Sequence, residues 1–291
     1  MGILTTELCR RFGIEHPIFG FAHDVATVAA ITNAGGLGVY GATRRFPHEI
    51  DDELAEIRRL VGDKPFGVDL VLPDGMPEHN SREAIEAHIP DEHRNFVKGI
   101  VDKYQVPEPS GPGMRTRFIR SKEIEEAQLE AVMASSVDLF ACGIGAPRPA
   151  VEKAKELGKT TAALIGSPRH VRRTLASGVD MVVAQGAEAG AHTGTIGTFS
   201  LVPQIVDACG GLPVLAAGGV ATGRHVAASL ALGAQAVWAG TIWLTTSEHT
   251  AHMAPALVDK LLAASSADTV ITRSESGKTF RQIRSSWSDE W

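Results

Sequence analysis

Two stretches near the C-terminal third decide the fold: Pro213-Val214-Leu215-Ala216-Ala217-Gly218-Gly219-Val220-Ala221-Thr222, and Ala236-Val237-Trp238-Ala239-Gly240-Thr241. Each is a short apolar run that does not alternate with polar residues and ends in glycine. That is the pattern of a strand buried on both faces of a parallel sheet. Thr222–Leu232 between them reads as a helix, so the unit is strand, glycine turn, helix, strand. The unit recurs upstream. Strands are expected at Pro17–Phe21, Leu37–Tyr40, Phe66–Leu72, Val137–Ala141, Thr160–Ile165 and Val179–Ala184, making eight with Pro213–Ala216 and Ala236–Ala239. Helices are expected between them. Asp24 caps Val25–Asn33, which Gly35-Gly36 stops. Pro47 opens a helix to Val61 with Ile50, Leu54, Ile57 and Val61 at helical spacing. Ser121–Ser135, Pro149–Leu157, Ser167–Ser177 and Phe199–Cys209 follow, then His249–Ala264, with a polar, irregular tail to Trp291. Eight strand–helix pairs predict a (β/α)8 TIM barrel as a single domain over residues 1–291. An open doubly wound sheet would want a Gly-x-Gly-x-x-Gly turn after the first strand, and the sequence has none there.

The rhythm breaks once, from Pro73 to Arg120, where no strand is expected, charges are dense and Pro107–Met114 is rich in proline and glycine. Pro90–Lys103 can form a helix inside it. This insertion after the third strand is either a solvated excursion or a lid over the active face.

Composition narrows the function. The 291 residues carry 28 Lys and Arg against 34 Asp and Glu, a net charge of −6, which argues against a nucleic-acid footprint. Cys9, Cys142 and Cys209 are too few and too scattered for a disulfide framework, so a reducing cytoplasm is expected. The first residues lack the plan of a signal peptide, and no apolar run reaches the length of a membrane span. A small-molecule substrate fits this composition; it leaves the oligomeric state open.

In a parallel barrel the chemistry sits where strands end. Gly218, Gly219, Gly240 and Thr241 follow the seventh and eighth strands, where glycines let backbone N–H groups close on a phosphate. After the sixth strand comes Gln185-Gly186-Ala187-Glu188-Ala189-Gly190-Ala191-His192. Small residues there frame three polar groups, and His192 is a proton-transfer candidate near neutral pH. His23, after the first strand, is the rival on the same face. Cys142 reads as a buried small residue or, less simply, as a nucleophile. His249 and His252 are three apart rather than the four of a metalloprotease helix, and no metal site is expected.

These residues resemble the nitronate monooxygenase family, formerly called 2-nitropropane dioxygenases. Ala184–His192 looks like its flavin loop. Asn33-Ala34-Gly35-Gly36-Leu37-Gly38, Phe66-Gly67-Val68-Asp69-Leu70, and Leu215–Val220 with Trp238–Thr241 agree with it in order, over about Thr5 to Thr246. The resemblance implies a barrel holding FMN. It implies flavin contacts from Ala22, Asp69, Gln185 and Gly190, and phosphate contacts from Gly218, Gly219, Trp238, Ala239, Gly240 and Thr241. It puts His192 on the catalytic histidine and His23 near substrate. The implied reaction is oxidation of alkyl nitronates by O2 to a carbonyl compound and nitrite. The same fold and loops also serve NAD(P)H-dependent FMN reductases of enoyl thioesters or quinones, and a non-redox barrel that binds a phosphorylated ligand is the reading from another class. Several positions depart from the family pattern. The first strand ends Phe21-Ala22-His23 rather than in Pro-Met. Asp69 stands for Asn, expected to replace an amide donor by an anionic acceptor. Gly190-Ala191-His192 stands for Gly-Gly-His, and the tail is short.

Overall fold

The computed structural model describes residues 4–111, 117–251 and 253–291. Its strands are β1 (Ile18–Ala22), β2 (Leu37–Gly41), β3 (Gly67–Leu70), β4 (Leu139–Cys142), β5 (Thr160–Ile165), β6 (Met181–Gln185), β7 (Ala191–His192), β8 (Val214–Ala217), β9 (Ala236–Ala239), β10 (Thr269–Thr272) and β11 (Phe280–Ile283). Eight of them close in the order β1-β2-β3-β4-β5-β6-β8-β9, and β9 returns to β1 by pairing Val237 with Ile18. Every pairing in this ring is parallel. The expected TIM barrel is thus the observed one.

Strand side chains alternate between two apolar environments. Phe19, Val39, Leu139, Ala141, Met181, Val183, Leu215 and Trp238 fill the barrel interior. Their neighbours Tyr40, Val68, Leu70, Phe140 and Cys142 pack outward with Ile50, Leu54 and Ile57 of the helix Pro47–Val61. Val182, Ala184, Val214, Ala216 and Val237 do the same against Leu201, Val202 and Ile205. Burial on both faces is why these strands are apolar runs. Asp24 caps the first barrel helix by accepting the Thr27 N–H at 2.7 Å, as the sequence predicts.

Three expectations need correction or completion. The tail is not irregular: β10 and β11 form an antiparallel hairpin, and β11 pairs with β7. The tail looked shapeless because four-residue strands leave too short a pattern to see. His249–Ala264 is not one helix but two, Ser247–Thr250 and Pro255–Ala263, because Pro255 cannot continue the first. The insertion carries helices Arg82–Glu86 and Asp91–Tyr104, almost wholly exposed, with only Ile100 of the second helix buried. Part of its proline- and glycine-rich patch, residues 112–114, lies outside the described residues. The longer helix meets the chain's last turn: Lys103 and Tyr104 both reach the Glu290 carboxylate, and Phe96 packs edge-on against Trp291 at 6.0 Å.

Candidate active site

The C-terminal ends of the barrel strands gather the residues expected from sequence. Gln185 closes β6 with the inward parity of Val183, and its Nε2 donates to the His192 carbonyl at 3.1 Å. That bond folds the loop after β6 back over the strand that launches it. The fold-back is tight. A Cβ on Gly186 would lie 2.1 Å from Thr198 Oγ1, and one on Gly218 would lie 2.8 Å from the same atom and 2.9 Å from the Ala189 nitrogen. Gly218 and Gly219 also hold φ of 103° and 73°, which L side chains rarely adopt. Gly190 faces Thr241, whose Oγ1 would sit 3.2 Å from an added Cβ. The glycine turns after β6, β8 and β9 are therefore packed on one another. Glu188 has a structural task within this cluster. Its carboxylate accepts the Thr198 N–H and hydroxyl at 2.7 and 2.8 Å, capping the helix Thr198–Ala208, and these bonds hold its pKa below the usual range despite the opposing effect of burial.

His192 lies on β7, opposite Phe280 of β11, whose ring meets the imidazole edge-on at 5.1 Å. Its Nε2 is 2.5 Å from the Ser276 hydroxyl. Ser276 and Phe280 are residues that sequence reasoning did not find, because nothing in a polar tail signals that it will add a strand beside a loop 84 residues earlier. The preceding Ala191 has φ of +66°, in the left-handed region.

Across the mouth, β1 ends in an aromatic run. Trp238 stacks on Phe21 at 6.0 Å with planes 25° apart, and Phe21 meets His23 edge-on at 4.9 Å. His23 Nδ1 lies 3.1 Å from the Gly41 carbonyl. Its ring keeps an exposed face while dense protein surrounds it, as befits a residue in a concave mouth. That crowding, with the positive charge of Arg45 adding to it, lowers its pKa and favours neutral imidazole. Arg45 fixes this corner: Nε donates to the Tyr40 hydroxyl at 2.8 Å and to Glu53 at 2.9 Å, and a terminal nitrogen donates to the His23 carbonyl at 3.2 Å. Ala22 and Ala239 are also brought to this end. The Ala22 methyl belongs to the outer apolar layer, so only its backbone can face the mouth.

Asp69 corrects an expectation. It has the parity of inward-facing Ala141, its register partner, and is 4% exposed. Its Oδ2 has no hydrogen-bond partner among the described residues. Burial alone raises its pKa well above the carboxylate range. Burial thus works against the anion that its formula suggests.

The remaining candidates fall away from the site. Cys9, Cys142 and Cys209 are buried and unpaired, and burial pushes the Cys142 thiol far up, away from a nucleophile's range. His249 Nδ1 lies 2.5 Å from Asp24 Oδ2, while His252 lies outside the described residues. Among the described residues no three His, Cys, Asp or Glu side chains cluster as metal ligands. Nor does any helix among them have the length and apolarity to cross a membrane.

A closed parallel barrel with its polar residues and glycine turns at the C-terminal mouth is the build of a small-molecule enzyme of the TIM-barrel class. Residues 4–291 match the family Nitronate monooxygenase. The chain belongs to that family, whose members are flavin-dependent oxidoreductases. It is 42% identical to the Mycobacterium tuberculosis protein Rv1533, which carries the name of a monooxygenase, over 99% of this chain and 78% of the relative. It is 31% identical to a Staphylococcus aureus (strain MRSA252) protein named "Probable nitronate monooxygenase", over 98% and 79% of the two chains. Among solved structures, it resembles the nitroalkane oxidase of Streptomyces ansochromogenes with a TM-score of 0.75 and 27% identity, over 97% of this chain and 80% of that one. FabK from Thermotoga maritima is comparably similar, with a TM-score of 0.73 and 28% identity over 97% and 75%.

Proposed function

We propose that the protein is an FMN-dependent nitronate monooxygenase, oxidising alkyl nitronates with O2 to a carbonyl compound and nitrite. The observation that carries this reading is the convergence of three glycine turns with Gln185 and His192 at one end of the barrel. The residues suit such a cofactor. Gly218 and Gly219, where side chains would collide or strain, would hold its phosphate together with Gly240 and Thr241. Gln185, Gly190 and the unpartnered Asp69 would meet its ring system, with the Trp238 and Phe21 rings and the Ala22 and Ala239 backbone completing the wall. A single phosphate cradle, without a second dinucleotide turn, favours FMN over FAD. When bound, the flavin supplies the redox chemistry, with O2 as the final acceptor. The chain's own contribution is proton handling and orientation. His192 takes the α-proton of a neutral nitroalkane, and the C–H electron pair moves into the nitro group to leave the nitronate. His23, kept neutral, lines the substrate side. The 73–120 insertion acts as the lid, its longer helix held by the chain's last turn.

The test is to reconstitute the protein with FMN and follow oxygen uptake and nitrite release with ethyl nitronate, nitroethane, and NADH or NADPH. Nitronate turnover without nicotinamide is expected. His192→Ala should keep the flavin yet lose roughly 10²- to 10⁴-fold with nitroethane, and much less with pre-formed nitronate. Rapid anaerobic bleaching by NADH or NADPH with no nitronate turnover would reassign the enzyme to the flavin reductases. A protein that takes up no flavin would return it to the non-redox barrels.

A further inference from the structure

We infer that Asp69 acts as a protonated acid, donating a hydrogen bond from its carboxyl O–H to the bound flavin, so that flavin affinity is linked to one proton. The inference rests on the flavin reading and adds to it the protonation state and role of one residue.

Three observations support it. Asp69 is inward-facing on β3 at the mouth end of the barrel and buried to within 4% of its surface. Its Oδ2 is buried with no partner among the described residues. Gly143, just after β4, packs on the carboxyl: a Cβ there would stand 3.1 Å from Asp69 Oδ1, so a side chain would press on it. An ionised carboxylate in such a place would have lost the water at Oδ2 and gained no hydrogen bond there in return. A neutral acid avoids most of that cost and leaves one strong donor looking for an acceptor.

No neighbouring charge among the described residues reverses this. On β2 the register partner is Gly41, over which the His23 ring lies, and crowding keeps that imidazole neutral. On β4 the neighbours are Ala141 and Cys142, whose thiol the same burial holds protonated. Arg45 lies near His23 but is committed to Tyr40, Glu53 and the His23 carbonyl. Among the described residues no cation acts on Asp69. The pyrimidine edge of an oxidised flavin offers two carbonyl acceptors and one N–H, and a carboxylic acid can serve either. An ionised carboxylate could meet only the N–H and would repel a reduced, anionic ring.

The experiment measures the FMN dissociation constant of the whole protein by flavin fluorescence quenching from about pH 5 to pH 10, for the wild type, Asp69→Asn and Cys142→Ala. Wild-type affinity should be flat at low pH and then weaken tenfold per pH unit once Asp69 ionises. Asp69→Asn should bind FMN at every pH without that slope, and Cys142→Ala should retain it. In parallel, the infrared difference between the apoprotein and Asp69→Asn at neutral pH should show a protonated carboxyl band. A wild-type profile as flat as that of Asp69→Asn, a slope that survives in the variant, or a carboxylate band in place of the acid would overturn the inference while leaving the flavin reading intact. Failure of FMN to bind at any pH would overturn both.

Discussion

Ala191 offers a clean measurement of strain stored beside the candidate base. Its φ of +66° places an L side chain in the left-handed region, at a cost of about 1–2 kcal/mol. The position is exposed, so replacing the methyl by hydrogen opens no cavity and leaves the β7–β11 pairing of Ala191 with Arg281 untouched. Glycine adopts this conformation freely, but it adds about 0.5–1 kcal/mol of backbone entropy to the unfolded chain. The difference predicts that Ala191→Gly stabilises the protein by roughly 0.5–1 kcal/mol. Urea unfolding of the FMN-free protein, with an unchanged slope, should therefore move to a higher midpoint. Gln105 is the comparison: among the described residues it is the other non-glycine at positive φ, at 49°, and it caps an insertion helix. Gln105→Gly should gain comparable stability, whereas Ala191→Gly should also loosen His192 and change kcat. A loss of stability beyond about 0.5 kcal/mol in Ala191→Gly would refute the strain assignment, because no lost contact could account for it.

Other outcomes follow from the same geometry. Gly218→Ala forces a Cβ to within 2.8 Å of Thr198 Oγ1 at a φ of 103°, so it should cost about 1–3 kcal/mol and weaken FMN retention in equilibrium dialysis; full retention at wild-type stability would remove the phosphate role. Ser276→Ala should leave flavin content unchanged and shift the pH profile of nitroethane oxidation, since it removes the hydroxyl at 2.5 Å from His192; an unmoved profile would make that contact incidental. Deleting Met76–Pro112 should keep FMN bound while raising KM or abolishing turnover, and unchanged kinetics would reduce the insertion to a surface excursion. Because burial raises the Asp69 pKa, the unfolded chain gives up that proton first, and wild-type stability falls with rising pH until the folded group also ionises. Asp69→Asn should therefore gain on the wild type by up to about 1.4 kcal/mol per pH unit above pH 4, as read by urea melts; a gap independent of pH would show the carboxyl ionised in the fold.

The barrel was legible in the sequence because each strand reports its own burial. Runs such as Val214–Ala217 and Ala236–Ala239 are apolar on both faces whatever surrounds them, and the glycines after them mark turns that the backbone itself requires. The Gln185–His192 loop was legible for the same local reason: its small residues announce close packing before any partner is known. What tertiary structure alone decided is set by distance along the chain or by the absence of neighbours. The tail reaches back across the barrel mouth, so Ser276 and Phe280 meet His192, and Phe96 of the insertion meets Trp291, contacts that no local pattern encodes. The ionisation of Asp69 belongs to this second kind. Its formula suggests an anion, but its charge depends on whether a cation or a donor stands beside it, and the described residues bring neither to its buried Oδ2.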